Sequence, residues 1–319
     1  MTGNRPFRFG VIHERMTTRA AWQEDARRAE ALGFATLLVR DHFVPDYFGD
    51  QFAPFAALMA AADATTTLRV GNLVIDNDYR HPVVLAKEAA TLDLLSDGRF
   101  ELGLGAGWLQ TEYEQAGIPF DRAGVRIDRM EEAIRVIKGL FADGPVRHAG
   151  THYAIDGLEG FPKPAQRPHP PLLLGGAGKR LLGVAAREAD IVHVMPRPIA
   201  AGTLVSDPRD RLERAVTEKV GWLREAAGAR FGAIELGLGA TFVVADDRRG
   251  ATERLITEMG WNGTTPEEVW DMPSIFVGLV EAIADEARQR RERLGFSYFV
   301  VQDEAMAACA PVVARLAGG

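Results

Sequence analysis

The sequence predicts one α/β domain over residues 1–319, a single (β/α)8 TIM barrel with insertion segments. Three observations lead there. Residues 68–108, LRVGNLVIDNDYRHPVVLAKEAATLDLLSDGRFELGLGAGW, form one strand–helix–strand unit. Its strands are unbroken apolar runs, as expected of parallel strands covered by helices on both faces. The same helix-to-strand alternation recurs along most of the chain with about eight strands, the count of a closed barrel. Finally, AEALGFATLLV (29–39) and RERLGFSYFVV (291–301) repeat one order of helix, LGF stop and buried strand near the two ends. A doubly wound open sheet would place its glycine loop after the first strand. Here the glycine turns follow the fourth and fifth strands, which favours the barrel.

Each element has a local reason. FRFGVI (7–12) is the first strand, and Thr17 or Thr18 can cap a helix with Trp22, Ala26, Ala29 and Leu32 on one face. Gly33 stops it before ATLLVR (35–40), which runs into Asp41-His42. A short helix over 54–64 leads to the 68–108 unit, in which Pro82 opens a helix and Gly98 supplies a left-handed stop. TEYEQAGIPFDR reads as a polar turn, and Ile127, Met130, Ile134, Ile137 and Phe141 then mark an amphipathic helix. Residues 143–171 read as an inserted hairpin, with His148, His152 and His169 expected in solvent. PLLLGGAGKR and IVHVM are further strands, and 196–210 and 258–276 are long loops and candidate lids. ELGLGATFVV is the next strand, 246–276 reads as broken chain, and a helix over 279–294 feeds SYFVVQ.

Composition narrows the class. Hydrophobic residues make up 47% and charged residues 25%, as in ordinary globular proteins. A net charge of −7 argues against a nucleic-acid or anionic-membrane partner. The chain has no apolar run long enough to span a membrane and no signal-like start, so a cytoplasmic setting is expected. One cysteine, Cys309, allows no intrachain disulfide, and no credible metal-ligand set is present, so no metal is expected.

The candidate site lies where ligands bind on such a barrel, at the carboxyl ends of the strands. Asp41-His42 leaves the second strand there, and imidazole suits proton transfer near neutral pH. Gly105-Ala106-Gly107 and Gly175-Gly176-Ala177-Gly178 follow adjacent strands. Each can be a tight turn or an amide cradle for phosphate, and their adjacency favours a phosphate-bearing cofactor.

Together these stretches resemble the bacterial luciferase-like monooxygenase superfamily over nearly the whole chain. The likeness is densest in EALGFATLLVRDHF, RHPVVLAKEAATLDLLSDGRFELGLGAGW and PPLLLGGAGKRLLGVAAREADIVHV. Asp41-His42-Phe43 is similar to the branch that uses coenzyme F420, a 5-deazaflavin. That resemblance implies hydride transfer between the deazaflavin C5 and a small organic substrate, with His42 catalytic and Asp41 beside the cofactor ring. It implies a non-prolyl cis peptide at Asn72-Leu73 backing the ring, and phosphate held by Gly105, Ala106 and Gly107 and by Gly175, Gly176, Ala177 and Gly178. It also implies a homodimer. The chain departs from the branch's sugar-phosphate dehydrogenases: Trp108 stands where they carry a proton-donating Glu, and Asp46 where they carry an aromatic. The alternatives are a flavin mononucleotide (FMN) dependent monooxygenase and a non-catalytic flavin- or deazaflavin-binding protein.

Overall fold

The computed structural model describes residues 5–318 except 46, 201 and 204. In chain order the elements begin with β1 (Arg8–Ile12), α1 (Arg19–Ala31), β2 (Thr36–Val39), α2 (Pro54–Asp63), β3 (Arg69–Asn72) and β4 (Ile75–Asp76). Next come α3 (Pro82–Leu95), β5 (Phe100–Gly105), α4 (Gln110–Ala116) and α5 (Ala123–Phe141). A hairpin of β6 (Val146–Ala149) and β7 (Ala154–Leu158) precedes β8 (Leu172–Gly176), α6 (Lys179–Glu188), β9 (Ile191–Val194) and α7 (Glu213–Ala227). The chain then forms β10 (Glu235–Gly239), β11 (Thr241–Val244), α8 (Arg248–Glu258), α9 (Pro266–Trp270) and β12 (Ile275–Gly278). It ends with α10 (Val280–Leu294), β13 (Phe296–Gln302) and α11 (Met306–Leu316).

The main sheet runs β3-β2-β1-β13-β10-β9-β8-β5-β4, and β3 also pairs with β5, which closes the ring. Strands β3 and β4 are two halves of one interrupted stave, so the nine strands make an eight-stave parallel barrel. Alternation along the staves sorts the side chains. Phe9, Val11, Leu37, Val39, Val70 and Leu174 pack outward under the helices in the large core. Ile12, Leu38, Leu173, Ile191, Tyr298 and Val300 pack together as a second, separate cluster that fills the barrel. At the amino-terminal end of the interior, Arg8 bridges Glu101 (2.5 Å) and Glu235 (2.8 Å), so these buried carboxylates are paired.

The boundaries follow the expected stops. Thr18 accepts the Ala21 amide at the start of α1, His81 precedes Pro82 at the start of α3, and Asp97 and Gly98 both turn left-handed after α3. Four segments depart from the sequence reading. The polar turn after Trp108 contains α4, which buries Glu112 and Tyr113 and stops at Gly117 (φ 70°). ELGLGATFVV is two strands, because β11 leaves the barrel to pair with β12. The segment read as broken, 246–276, folds into α8, α9 and β12 around its own small core. That core includes Leu212, over thirty residues before α8, so no local pattern announces it. Finally, α11 was not foreseen and packs against α10 and β11.

The inserted hairpin appears where expected, as β6 and β7. His148, His152 and His169 are half-buried, not solvated: His169 lies against the Pro170 carbonyl, and Glu132 of α5 reaches the other two. That carboxylate accepts the amides of Thr151 (2.8 Å), His152 (3.0 Å) and Tyr153 (3.2 Å). The 196–210 stretch is tied at both ends by the buried Lys219 of α7, which donates to Met195 O (3.0 Å) and the Asp210 carboxylate (2.5 Å). No helix among the described residues is long and apolar enough to cross a membrane.

Candidate active site

Strand alternation continues past the ends of the staves and decides which predicted residues reach the barrel mouth. Asp41 keeps the outward register of Leu37 and Val39. Its carboxylate takes the Arg80 guanidinium (2.5 and 3.3 Å) and the Asp76 amide (3.1 Å), tying the end of β2 to the loop after β4. Burial raises its pKa, and Arg80 opposes that rise. His42 keeps the inward register of Leu38. Its Nδ1 lies 2.8 Å from Glu112 Oε2, and its ring packs on Phe48 (4.8 Å) and the edge of Trp108 (5.7 Å). Arg40 precedes it and donates through Nε (3.0 Å) and Nη2 (2.7 Å) to one oxygen of Glu14. Its guanidinium lies over Phe48 at 4.0 Å.

Glu112 is the functional residue that sequence reasoning missed. It is 1% exposed, and its carboxylate meets four hydrogen-bonding groups. Oε1 takes the amides of Phe43 (2.6 Å) and Val44 (3.0 Å), and Oε2 takes His42 Nδ1 and the Tyr79 hydroxyl (3.1 Å). Burial alone would raise its pKa, but His42 and the two amides hold it below the usual carboxylate value. Glu112 is therefore an ionised acceptor at neutral pH, not a proton donor. The signal lay in Leu109 and Tyr113, four residues apart on one helical face, with Gly117 as the stop. Trp108, which occupies the expected acid's place, lines the mouth as an aromatic wall, and Asp46 lies outside the described residues.

The break between β3 and β4 contains a non-prolyl cis peptide, at Leu73-Val74 and not at Asn72-Leu73. The ladder explains the position. Asn72 still pairs with Val39, and the Leu73 amide still donates to Val39 O (2.9 Å), so the stave is interrupted only after Leu73. Leu73 and Val74 pack against the interior cluster. Asn72 keeps the outward register of Val70, fully buried, with neither polar side-chain atom hydrogen-bonded.

The two glycine turns differ in what their missing side chains make room for. A Cβ on Gly105 would overlap the Val74 side chain, and one on Gly107 the Tyr113 hydroxyl. That turn is closed against protein, and Arg126 donates to the carbonyls of Ala106 (3.0 Å) and Gly107 (3.2 Å). At Gly175 a Cβ would meet only Met195 Sδ and His193 at ordinary contact distance, and at Gly178 nothing within 4 Å. Gly178 is the N-cap of α6, with no side-chain capping bond and no acidic residue in the first turn. Its first-turn amides have no side-chain cap, the arrangement in which a helix start can take an anion. Gly176 is packed against Leu181, and Ala177 lies between it and the open Gly178. A flat ring over the glycine-lined rim with its phosphate at α6 fits this arrangement. Of the two turns, Gly175–Gly178 has room where side chains at Gly175 and Gly178 would be, whereas at Gly105 and Gly107 that space is taken by protein, with the Asp76 carboxyl behind Gly107. No cluster of His, Cys, Asp or Glu side chains among the described residues is placed to hold a metal ion.

Comparison with known proteins decides the family. The model of the luciferase-like monooxygenase family matches residues 6–312. The chain belongs to that family. It is 26% identical over 256 residues to an FMNH(2)-dependent dimethylsulfone monooxygenase of Pseudomonas putida, covering 78% of this chain and 66% of the relative. It is 31% identical over 170 residues to an F420-dependent glucose-6-phosphate dehydrogenase of Amycolatopsis mediterranei (strain U-32), covering 52% of this chain and 50% of that one. The matches thus span less than two thirds of these relatives' length. A solved F420-dependent secondary alcohol dehydrogenase, in complex with an F420-acetone adduct, superposes with a TM-score of 0.73 at 20% identity. That match covers 97% of both chains and supports the barrel fold.

Proposed function

We propose that this protein is an oxidoreductase that uses coenzyme F420 and moves hydride between the deazaflavin C5 and a small organic substrate. The observation that carries the reading is the His42–Glu112 pair on the same glycine-lined rim as the uncapped end of α6. When bound, the deazaflavin supplies the hydride donor or acceptor. The amides of Gly176, Ala177 and Gly178 would hold its phosphate, while Leu73 and Val74 would line its ring. His42 gives or takes the substrate proton through Nε2, the ring nitrogen that Glu112 leaves unengaged. Phe48 and Trp108 shield that exchange from water. Support for F420 over FMN comes from Asp41-His42-Phe43, which is similar to the deazaflavin branch. The P. putida relative's use of FMNH(2) makes FMN the runner-up.

The test is titration of the purified protein with F420 and with FMN, followed by absorbance and fluorescence, beside a single-turnover hydride assay. F420 is expected to bind more tightly. His42→Ala should leave F420 binding within a few-fold and slow turnover by at least about a hundredfold, the usual cost of losing a positioned acid or base. Tighter binding of FMN would make the protein an FMN-dependent monooxygenase. Binding without turnover in the wild type would make it a cofactor-binding protein.

A further inference from the structure

We propose that Glu112 is a positioning residue that fixes the tautomer of His42, keeping the proton on Nδ1 and the lone pair of Nε2 toward the mouth. The inference rests on the reading of His42 as the proton-transfer group, but its decisive observation concerns this chain alone.

The argument is one of hydrogen-bond capacity. Glu112 Oε1 faces two backbone amides, those of Phe43 and Val44, which can only donate. Oε2 faces His42 Nδ1 and the Tyr79 hydroxyl. Three donors and His42 Nδ1 surround an acceptor-only carboxylate that is held ionised, so the neutral imidazole must present Nδ1–H to it. The ring is further held by its tilted contact with Phe48 (4.8 Å) and its edge contact with Trp108 (5.7 Å). The Phe43 and Val44 amides lie immediately after His42, so one carboxylate sets both the backbone and the ring that leaves it. With Nδ1–H engaged, Nε2 of the neutral ring is an acceptor, and the resting enzyme is poised to take a proton from its substrate.

Glu112→Gln makes the inference sharp. An amide has one acceptor end and one donor end, and one of them must face each pair of donors. The backbone amides cannot become acceptors, whereas imidazole can exchange tautomers and the Tyr79 hydroxyl can rotate. The Gln oxygen therefore settles on Phe43 and Val44, and its NH2 turns to His42. That forces the proton from Nδ1 to Nε2, and the Nε2 acceptor is lost.

The experiment uses the full chain with 15N-labelled histidine and long-range proton–nitrogen correlation spectra. They are recorded at a pH of about 8.5, above the ordinary imidazole pKa of about 6.5. The His42 signals are assigned by their loss in His42→Ala. The expected result is the Nδ1–H tautomer in the wild type and the Nε2–H tautomer in Glu112→Gln. Turnover by the F420-loaded variant should fall about ten- to a hundredfold, the cost typical of losing a group that orients a reacting ring, with cofactor affinity within a few-fold. An Nε2–H ring in the wild type overturns the proposal, and so does an unchanged Nδ1–H ring in Glu112→Gln. If Glu112→Gln does not fold, the wild-type spectrum still decides. Full turnover in His42→Ala would sink the functional reading while leaving the tautomer result standing, so the two failures are distinguishable.

Discussion

Asp76 is the residue with the most consequential environment outside the His42–Glu112 pair. It is 8% exposed, accepts the Tyr113 hydroxyl (2.8 Å) and the Asp78 amide (2.9 Å), and neighbours the carboxylates of Asp78 and Asp41. Burial, reinforced by those two like charges, pushes its pKa up to about 7. The sign of the linkage follows. A carboxyl whose folded-state pKa exceeds its unfolded value of about 3.9 favours the fold while protonated. That contribution is complete below about pH 4 and is lost as pH rises through about 7. Asp76→Asn stays neutral throughout, so its stability should fall less than that of the wild type between pH 4 and 7. Denaturant midpoints measured across that range check this, and parallel curves for the two proteins would contradict it.

At the scale of elements, the β3–β4 stave and β5 are fitted to each other with no spare room. A Cβ on Gly103 of β5 would overlap the Asn72 carbonyl oxygen, which is backbone and cannot swing away. Gly103→Ala should therefore destabilise the protein by about 1–3 kcal/mol or more, the range for overpacking a core. Gly178 is the contrast, since a Cβ there meets nothing within 4 Å. Gly178→Ala should cost less than about 1 kcal/mol, the difference between Gly and Ala at an N-cap, while weakening cofactor binding by crowding the α6 end. Equilibrium unfolding of both variants, with a cofactor titration of the second, is the measurement. Equal stability losses would mean that the two glycines serve the same purpose.

At the scale of the whole molecule, pairing of β3 with β5 turns the main sheet into a ring. Association can use the helices, the loops or the two small two-stranded sheets outside the ring. The family resemblance implies a homodimer, and the large apolar side chains of Val84, Leu94 and Leu95 on α3 remain exposed at 41–60%. Sedimentation equilibrium at micromolar concentration should show a species of twice the 34.8 kDa chain mass, and a lone monomer would count against the dimer.

The sequence by itself determined the barrel, because apolar runs, helix stops and their alternation are local and each stave carries its own signature. It also marked His42 and the two glycine turns, since residue type and position at a strand end are readable in one dimension. The tertiary structure decided what those residues do. Strand parity sent Asp41 outward to Arg80 and His42 inward, a difference of one residue that composition does not express. The carboxylate that holds His42 lies seventy residues away, on a short helix whose charged face disguised it as a turn. Only the folded chain reveals that Gly107 is small to admit Tyr113, whereas no described residue comes within 4 Å of a Cβ at Gly178. Hydrogen-bond capacity and close approach are properties of neighbours in space, and closing the ring is what makes those neighbours.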